Sequence, residues 1–123
     1  MVSKNCIEKI KKELLIAVDA QANGKLSLAR VCARRATGWA IKENLSSRGI
    51  SLDSPSAIDH IRYFISLNNT EPEVRESLQY MTQKVMKDSI EEDSYWPFPD
   101  VNLVSEAHWL VEKLLGISIQ LDE

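Results

Sequence analysis

Apolar residues recur at spacings of three and four along most of the chain, and this pattern restricts the fold more than any other feature. The first such stretch, residues 5–22, carries it at Ile7, Ile10, Leu14, Ala17 and Val18. Residues this far apart share one face of an α-helix. The same period returns at 26–47, after Ser54-Pro55-Ser56, from Thr70 to Val85, and at 101–115.

Start and stop signals separate these stretches. Asn5 with Glu8, and Thr70 with Glu73, stand in capping-box register, while Ser54 before Pro55 is typical of a helix N-terminus. Stop signals follow the stretches at Asn23-Gly24, Gly49, Asn68-Asn69 and Gly116. Each periodic stretch is therefore predicted to be a separate helix joined to the next by a short connection.

The predicted fold is all-α, an up-and-down bundle of four or five helices in a single domain spanning 1–123. A chain of 123 residues has the usual size of one domain. Residues 89–100 contain Pro97 and Pro99 among aromatic side chains, which predicts an irregular loop. The tail at 117–123 alternates like a short strand or drapes back on the bundle.

The second helix is expected to be central. One apolar stripe contains Leu28, Ala29, Cys32, Ala33, Ala36, Trp39 and Ala40, and Val31, Ile41 and Leu45 lie on the opposite side. Small alanines allow a neighbouring helix to approach closely, and we expect Trp39 to fill a wider gap in the core.

Charge is distributed unevenly although the formal net charge is only −3. Residues 25–48 hold six basic residues against Glu43 alone, whereas the densest acidic cluster lies at 88–93. Within the basic segment, Arg30 and Arg34 stand one helical turn apart, and Arg35 projects towards Lys42. Arginine forks match phosphate oxygens, so Arg30, Arg34 and Arg35 form a candidate phosphate-binding face. The alternative is that these arginines pair with the 88–93 carboxylates or with other surface carboxylates.

Motifs of the common enzyme classes are missing from the sequence, which contains no Gly-rich phosphate loop, Gly-x-Ser-x-Gly or His-Glu-x-x-His. His60 and His108 are interpreted as boundary residues, with His60 pointing away from the apolar stripe of its helix. Cys6 and Cys32 are expected to be reduced, and they form no recognised zinc pattern with the histidines. We therefore predict no catalytic residues, metal or cofactor.

Location and assembly follow from less specific features. The apolar runs are too short to span a bilayer, and the N-terminal residues lack the apolar core of a signal peptide, so a cytoplasmic protein with no membrane contact is expected. Trp109 projects among Ser105, Glu106 and Lys113, on the side that should face water. It is either covered by the 95–98 aromatics or anchors an interface.

Two segments resemble the HEPN (higher-eukaryote and prokaryote nucleotide-binding) group of small helical bundles. They are Gly24-Lys-Leu-Ser-Leu-Ala-Arg-Val-Cys-Ala-Arg-Arg-Ala36 and Ser105-Glu-Ala-His-Trp-Leu-Val-Glu-Lys-Leu-Leu115. Many members are ribonucleases or toxins with an arginine four to six residues before a histidine. No arginine stands at that spacing before His60 or His108.

This resemblance implies a non-catalytic bundle that binds a nucleotide, RNA or a protein partner. We predict such a binding module, as a homodimer or with a protein partner, and expect only weak affinity for generic RNA because the chain is acidic overall. The alternative is a divergent nuclease-like bundle that uses Arg30 or Arg34 with a histidine from another helix.

Overall fold

The computed structural model describes residues 4–51, 56–67, 70–82 and 101–121. Within these ranges the secondary structure consists of five α-helices and no strand. They are α1 (Lys4–Ala22), α2 (Leu26–Ser47), α3 (Ala57–Ile65), α4 (Pro72–Met81) and α5 (Leu103–Leu115). The prediction of an all-α bundle is confirmed. The predicted loop at 89–100 and the predicted continuation of α4 to Val85 lie outside the described residues.

α2 is the centre of the bundle and packs against α1, α3 and α5. The prediction that it contacts neighbours on two faces is confirmed, because residues on both of its sides are buried. On the alanine side these are Ala29, Cys32, Ala33, Ala36 and Ala40, and on the other side Ile41 and Leu45. Val31, which was predicted on that other side, is instead 39% exposed. Leu28, predicted to belong to the inner stripe, is instead 43% exposed. The predicted apolar stripe of α2 is therefore buried from Ala29 to Ala40 except at its margins, and its first residue, Leu28, lies at the edge of the buried face.

The α1–α2 turn depends on Gly24, whose φ of +75° lies in the left-handed region that glycine adopts without strain. The Lys25 N–H donates to the Ala20 carbonyl at 2.8 Å, and the Asn23 side chain donates to the Asp19 carbonyl at 2.8 Å. These bonds satisfy carbonyls that the end of α1 leaves without helical partners. The predicted break at Asn23-Gly24 is therefore confirmed.

Three predicted helix starts differ from the structure. Asn5 lies inside α1, which already includes Lys4. Ser56, not Ser54, caps α3, and its side chain accepts a hydrogen bond from the Asp59 N–H. Thr70 forms no capping box, because its hydroxyl donates to the Phe64 carbonyl at 3.0 Å and Glu71 is the N-cap of α4. The sequence offered several capping residues within two positions of one another, and tertiary contacts chose among them.

Residues 117–121 drape back on the bundle and form no strand. α5 ends at Gly116, and Ile119 then returns to the core with 5% of its surface exposed. Its N–H donates to the Glu112 carboxylate and its carbonyl lies 2.8 Å from His108 Nε2. His108, predicted to be a boundary residue, thus fastens the tail to α5. None of the described helices is long and apolar enough to cross a membrane.

Candidate functional site

A cavity with a volume of about 570 Å³ lies between α1, α2 and the start of α3. It is within the size range of small-molecule sites in proteins. α1 contributes Glu13 and α3 contributes its first turn and His60, while most of the wall comes from α2. The α2 residues are Val31, Arg34, Arg35, Gly38, Trp39 and Lys42.

Gly38 explains why the cavity lies at this place. A Cβ atom added to Gly38 would lie 2.7 Å from the Ala57 Cβ and 3.0 Å from its Cα, closer than real Cβ contacts. The absence of a side chain therefore lets the start of α3 rest directly on the backbone of α2. Longer side chains one turn away on α2, those of Arg35 and Lys42, then border the space beside this contact. The sequence signal for this approach is a glycine inside a long helix, where it costs about 1 kcal/mol relative to alanine.

The three candidate arginines do not form one exposed face. Arg30 is buried, with 8% of its surface exposed, and does not line the cavity. Arg34 and Arg35 do line it, but only Arg35 is exposed. Arg34 and Arg35 thus share a cavity with Lys42, whereas Arg30 does not line it, and phosphate binding by the three arginines stays a prediction. The proposed alternative pairing with the 88–93 carboxylates lies outside the described residues.

Arg34 has a structural contact as well as a place in the cavity wall. Its Nε donates to the Met81 carbonyl at 2.8 Å, at the C-terminal end of α4. A cation at that end is favoured by the helix dipole. Burial lowers the pKa of Arg34, and the charge of neighbouring Arg30 lowers it further. The side chain is therefore held in position by α4 while it remains fully charged at neutral pH, since an arginine keeps its proton in proteins.

Trp39 is not the core residue that the sequence predicted. It is only partly buried and forms a wall of the cavity. Lys9 Nζ lies 4.5 Å from the centroid of its ring, and Lys42 Nζ lies 5.4 Å from it. Both distances suit cation–π attraction, which holds positive charge at the border of the cavity. The helical period could not reveal this, because Trp39 lies at the margin of the alanine stripe.

His60 was predicted to be a boundary residue that points away from the apolar stripe of its helix, but the structure buries it. Only 4% of its surface is exposed, and it lines the cavity together with Arg34 and Trp39. α3 has only nine residues and rests its start on α2, so side chains outside its apolar stripe are also covered. The sequence thus missed the residue that brings an imidazole to the cavity. A one-sided helix model could not have found it.

Glu13 is the acidic residue of the cavity wall. The pKa of the adjacent Cys32 thiol is raised by burial and by the Glu13 carboxylate, which accepts a hydrogen bond from it. Cys6, on the same helix as Glu13, donates to the Trp39 carbonyl, and burial together with Glu43 raises the pKa of its thiol to about 11. Both cysteines are therefore neutral thiols at physiological pH and form no disulfide. Among the described residues, no three His, Cys, Asp or Glu side chains converge as a metal site would require.

Trp109 lies on the opposite side of α5 from the core, as the sequence predicted. It is 39% exposed, an unusual value for so large an apolar side chain. Two neighbours of Trp109 on α5 contact α4 and its N-cap. Glu106 accepts a hydrogen bond from Ser77, and Lys113 forms an ion pair with Glu71. The alternative prediction, that the aromatic residues 95–98 cover Trp109, lies outside the described residues.

No family model, characterised protein or solved structure matches this chain significantly.

Proposed function

We propose that this chain is a non-catalytic binding module that binds an anionic ligand of the nucleotide class in the cavity between α1, α2 and α3. The observation that carries the proposal is the convergence of Arg34, Arg35 and Lys42 on one cavity. Three cations facing the same space attract anions, and two of them are arginines, whose planar forks bind phosphate oxygens in pairs.

The rest of the wall suits the organic part of such a ligand. Val31, Trp39 and Ile58 supply apolar and aromatic surface beside the charged groups. Ligand sites in proteins commonly combine apolar walls with a small number of well-placed polar groups. A free phosphate ion would use only the cations, whereas a nucleotide would use both parts of the wall.

The resemblance of the Gly24–Ala36 and Ser105–Leu115 segments to the HEPN group also supports this proposal. It implies a bundle that binds a nucleotide, RNA or a protein partner. Exposed apolar side chains support the protein partner or homodimer as a further component of the proposed function. On α2, Leu28 and Val31 are 43% and 39% exposed, and Trp109 is similarly exposed on α5.

Titration calorimetry with AMP tests the nucleotide site. We expect the double variant Arg35→Gln, Lys42→Gln to weaken binding at least about tenfold, because each charge-assisted hydrogen bond contributes roughly 1.5–3 kcal/mol. The matched control is Lys12→Gln, Arg62→Gln, which removes the same charge from exposed residues outside the cavity wall. Equal losses in both variants would mean that AMP responds to overall charge only. Arg34 is left intact, because its contact with Met81 would confuse binding with stability.

The alternative function, a divergent nuclease, is favoured by one observation. Arg34 of α2 and His60 of α3 line the same cavity, an arginine and a histidine from different helices. If the protein is a non-catalytic binding module, we expect the wild type to leave a labelled single-stranded RNA intact. If the wild type cleaves the RNA and His60→Ala does not, with the helical content unchanged, the nuclease function would replace the binding module as the favoured proposal.

A further inference from the structure

We infer that the cavity selects guanine as the base of its nucleotide ligand, with Glu13 as the residue that recognises the base. This inference rests on the proposed function and specifies its ligand. It depends on one carboxylate and on where that carboxylate lies along the cavity. The cations Arg35 and Lys42 are exposed to solvent, so we assign them the phosphate and not the choice of base.

Glu13 carries a hydrogen-bond acceptor that the fold leaves unused. Its Oε1 atom is buried and accepts no hydrogen bond. In the part of the chain that the structure describes, the carboxylate has the Cys32 thiol as a weak donor and forms no ion pair. A buried acceptor without a donor lowers the stability of a protein, so a donor that reaches it is bound favourably.

The Glu13 side chain as a whole is only half-buried, and it borders the cavity. The last torsion of a glutamate side chain has a broad energy minimum, so either carboxylate oxygen can turn towards the cavity. A carboxylate accepts up to about four hydrogen bonds and donates none. A ligand with two neighbouring N–H groups can therefore bind both oxygens while Cys32 keeps its own hydrogen bond.

Glu13 and Lys42 lie towards opposite ends of the cavity. The contact of Glu13 with Cys32 places its carboxylate near Val31, the first α2 residue of the wall. Lys42 is the last, and the distance from Cys32 to Lys42 along the axis of α2 is roughly 15 Å. The Lys42 side chain tilts back towards the N-terminus of the helix, which shortens this span. The base and the phosphate of a mononucleotide also lie at opposite ends, so a phosphate at Lys42 directs the base towards Glu13.

Guanine matches this carboxylate better than the other bases of RNA. Its ring N–H and its exocyclic amino group stand side by side, and both donate. Adenine and cytosine place a ring nitrogen acceptor beside their amino group, and uracil has a carbonyl oxygen on each side of its N–H. These acceptors repel a carboxylate. Because Glu13 Oε1 is buried, water does not readily replace a donor that the ligand lacks.

GMP and IMP form a matched pair of probes, since they share sugar and phosphate and differ only in the exocyclic amino group of the base. By titration calorimetry we expect GMP to bind at least about tenfold more tightly than IMP, because a buried acceptor discriminates against a ligand that lacks its donor. AMP should also bind more weakly than GMP, since its ring nitrogen faces the carboxylate. Equal affinities for GMP and IMP would overturn the inference.

Glu13→Gln tests the assigned residue. It should bring the ratio of GMP to IMP affinity close to one, because the glutamine amide replaces one acceptor with a donor. The ratio cancels any change in the affinity for phosphate, which both probes share. The matched control Glu8→Gln removes the same charge from an exposed residue of α1 outside the cavity wall and should leave the ratio unchanged. A ratio that survives Glu13→Gln, with the helical content intact, would exclude Glu13 as the residue that recognises the base.

The same probes separate this inference from the proposed function. If GMP, IMP and AMP bind equally and all lose affinity in the double variant Arg35→Gln, Lys42→Gln, the inference fails and the proposed function stands. If none of the three binds, the proposed function fails and the inference falls with it.

Two tetranucleotides identify the source of the base. They are UUGU, which contains one guanosine, and UUIU, in which inosine replaces it. Tighter binding of UUGU than of GMP assigns the site to guanine in single-stranded RNA, and weaker binding assigns it to a free guanine nucleotide. Tight binding of both strands with equal affinity would contradict recognition of the amino group.

Discussion

The two sides of α2 differ in how closely neighbouring helices pack against them. On the alanine side, Ala33, Ala36 and Ala40 have none of their surface exposed. Towards α3, the helix meets its neighbour at Gly38 and leaves an open space of about 570 Å³ beside the contact. The alanine side is therefore part of the core, and the side that meets α3 borders the candidate binding cavity.

Side-chain size accounts for the difference. A row of alanines lets neighbouring backbones approach evenly along the helix, so close packing fills the interface. A single glycine allows approach at one point only, and the long side chains of Arg35, Trp39 and Lys42 then prevent closure on either side of it. A cavity forms where a small residue is surrounded by large charged and aromatic ones.

The largest expected effect comes from truncating a fully buried side chain of α2, that of Ile41. Ile41→Ala should reduce the free energy of unfolding by about 2–5 kcal/mol, because the buried side chain leaves a void. Trp39→Ala, on the open side, should cost less, about 1–3 kcal/mol, since the indole is already partly in contact with solvent. Urea denaturation followed by circular dichroism measures both. If Trp39→Ala costs as much as Ile41→Ala, Trp39 belongs to the core as the sequence first predicted.

Filling the contact point should have an intermediate effect. Gly38→Ala gains up to about 1 kcal/mol of helix propensity, but its Cβ meets Ala57, and overpacking costs roughly 1–3 kcal/mol. We expect a net loss of about 1 kcal/mol of unfolding free energy and weaker AMP binding, because α3 must move away from α2. Combining it with Ala57→Gly removes the Ala57 Cβ, the closer of the two contacting atoms, and should restore part of both losses. A stabilised Gly38→Ala with normal binding would mean that the contact at Gly38 does not define the cavity.

The smallest effect on stability is expected at Trp109, which belongs to neither side of α2. Trp109→Ala should change the unfolding free energy by less than about 1 kcal/mol, as substitutions at exposed positions usually do. If Trp109 anchors a homodimer, sedimentation should show a shift of the variant towards monomer with unchanged helicity. Ser105→Ala, one turn away on the same exposed side, is the control. A wild-type protein that sediments as a monomer at high concentration would exclude this self-interface.

The sequence predicted the positions of the helices closely, but it predicted the helix caps and the residues of the site only in part. The bounds of α2 and the stop at Gly116 were predicted because glycine and the apolar period act locally. Ser56 and Glu71 became N-caps in place of Ser54 and Thr70, and Thr70 instead contacts Phe64. Such a choice depends on which partner lies across the turn, and that information is not in the local sequence.

Arg35 and Arg30 show that residue type alone identified candidate residues but not which of them line the cavity. Both are arginines of one basic helix, and both were candidates for binding phosphate. Only Arg35 reaches the cavity, because a difference of five residues turns the side chain well over a quarter of a turn around the helix. Arg30 faces the interior, a position that depends on which sides of α2 its neighbours occupy.

The sequence by itself determined that this chain is a bundle of helices, since apolar periodicity and local stop signals act within one or two turns. It also determined that α2 is basic and central. Only the tertiary structure decided that His60 is buried, that Trp39 forms a wall, and that Arg34, Arg35 and Lys42 share one cavity with Glu13. These relations join residues from three helices. Their geometry is set by the contact of Gly38 with Ala57, which no pattern along a single helix contains.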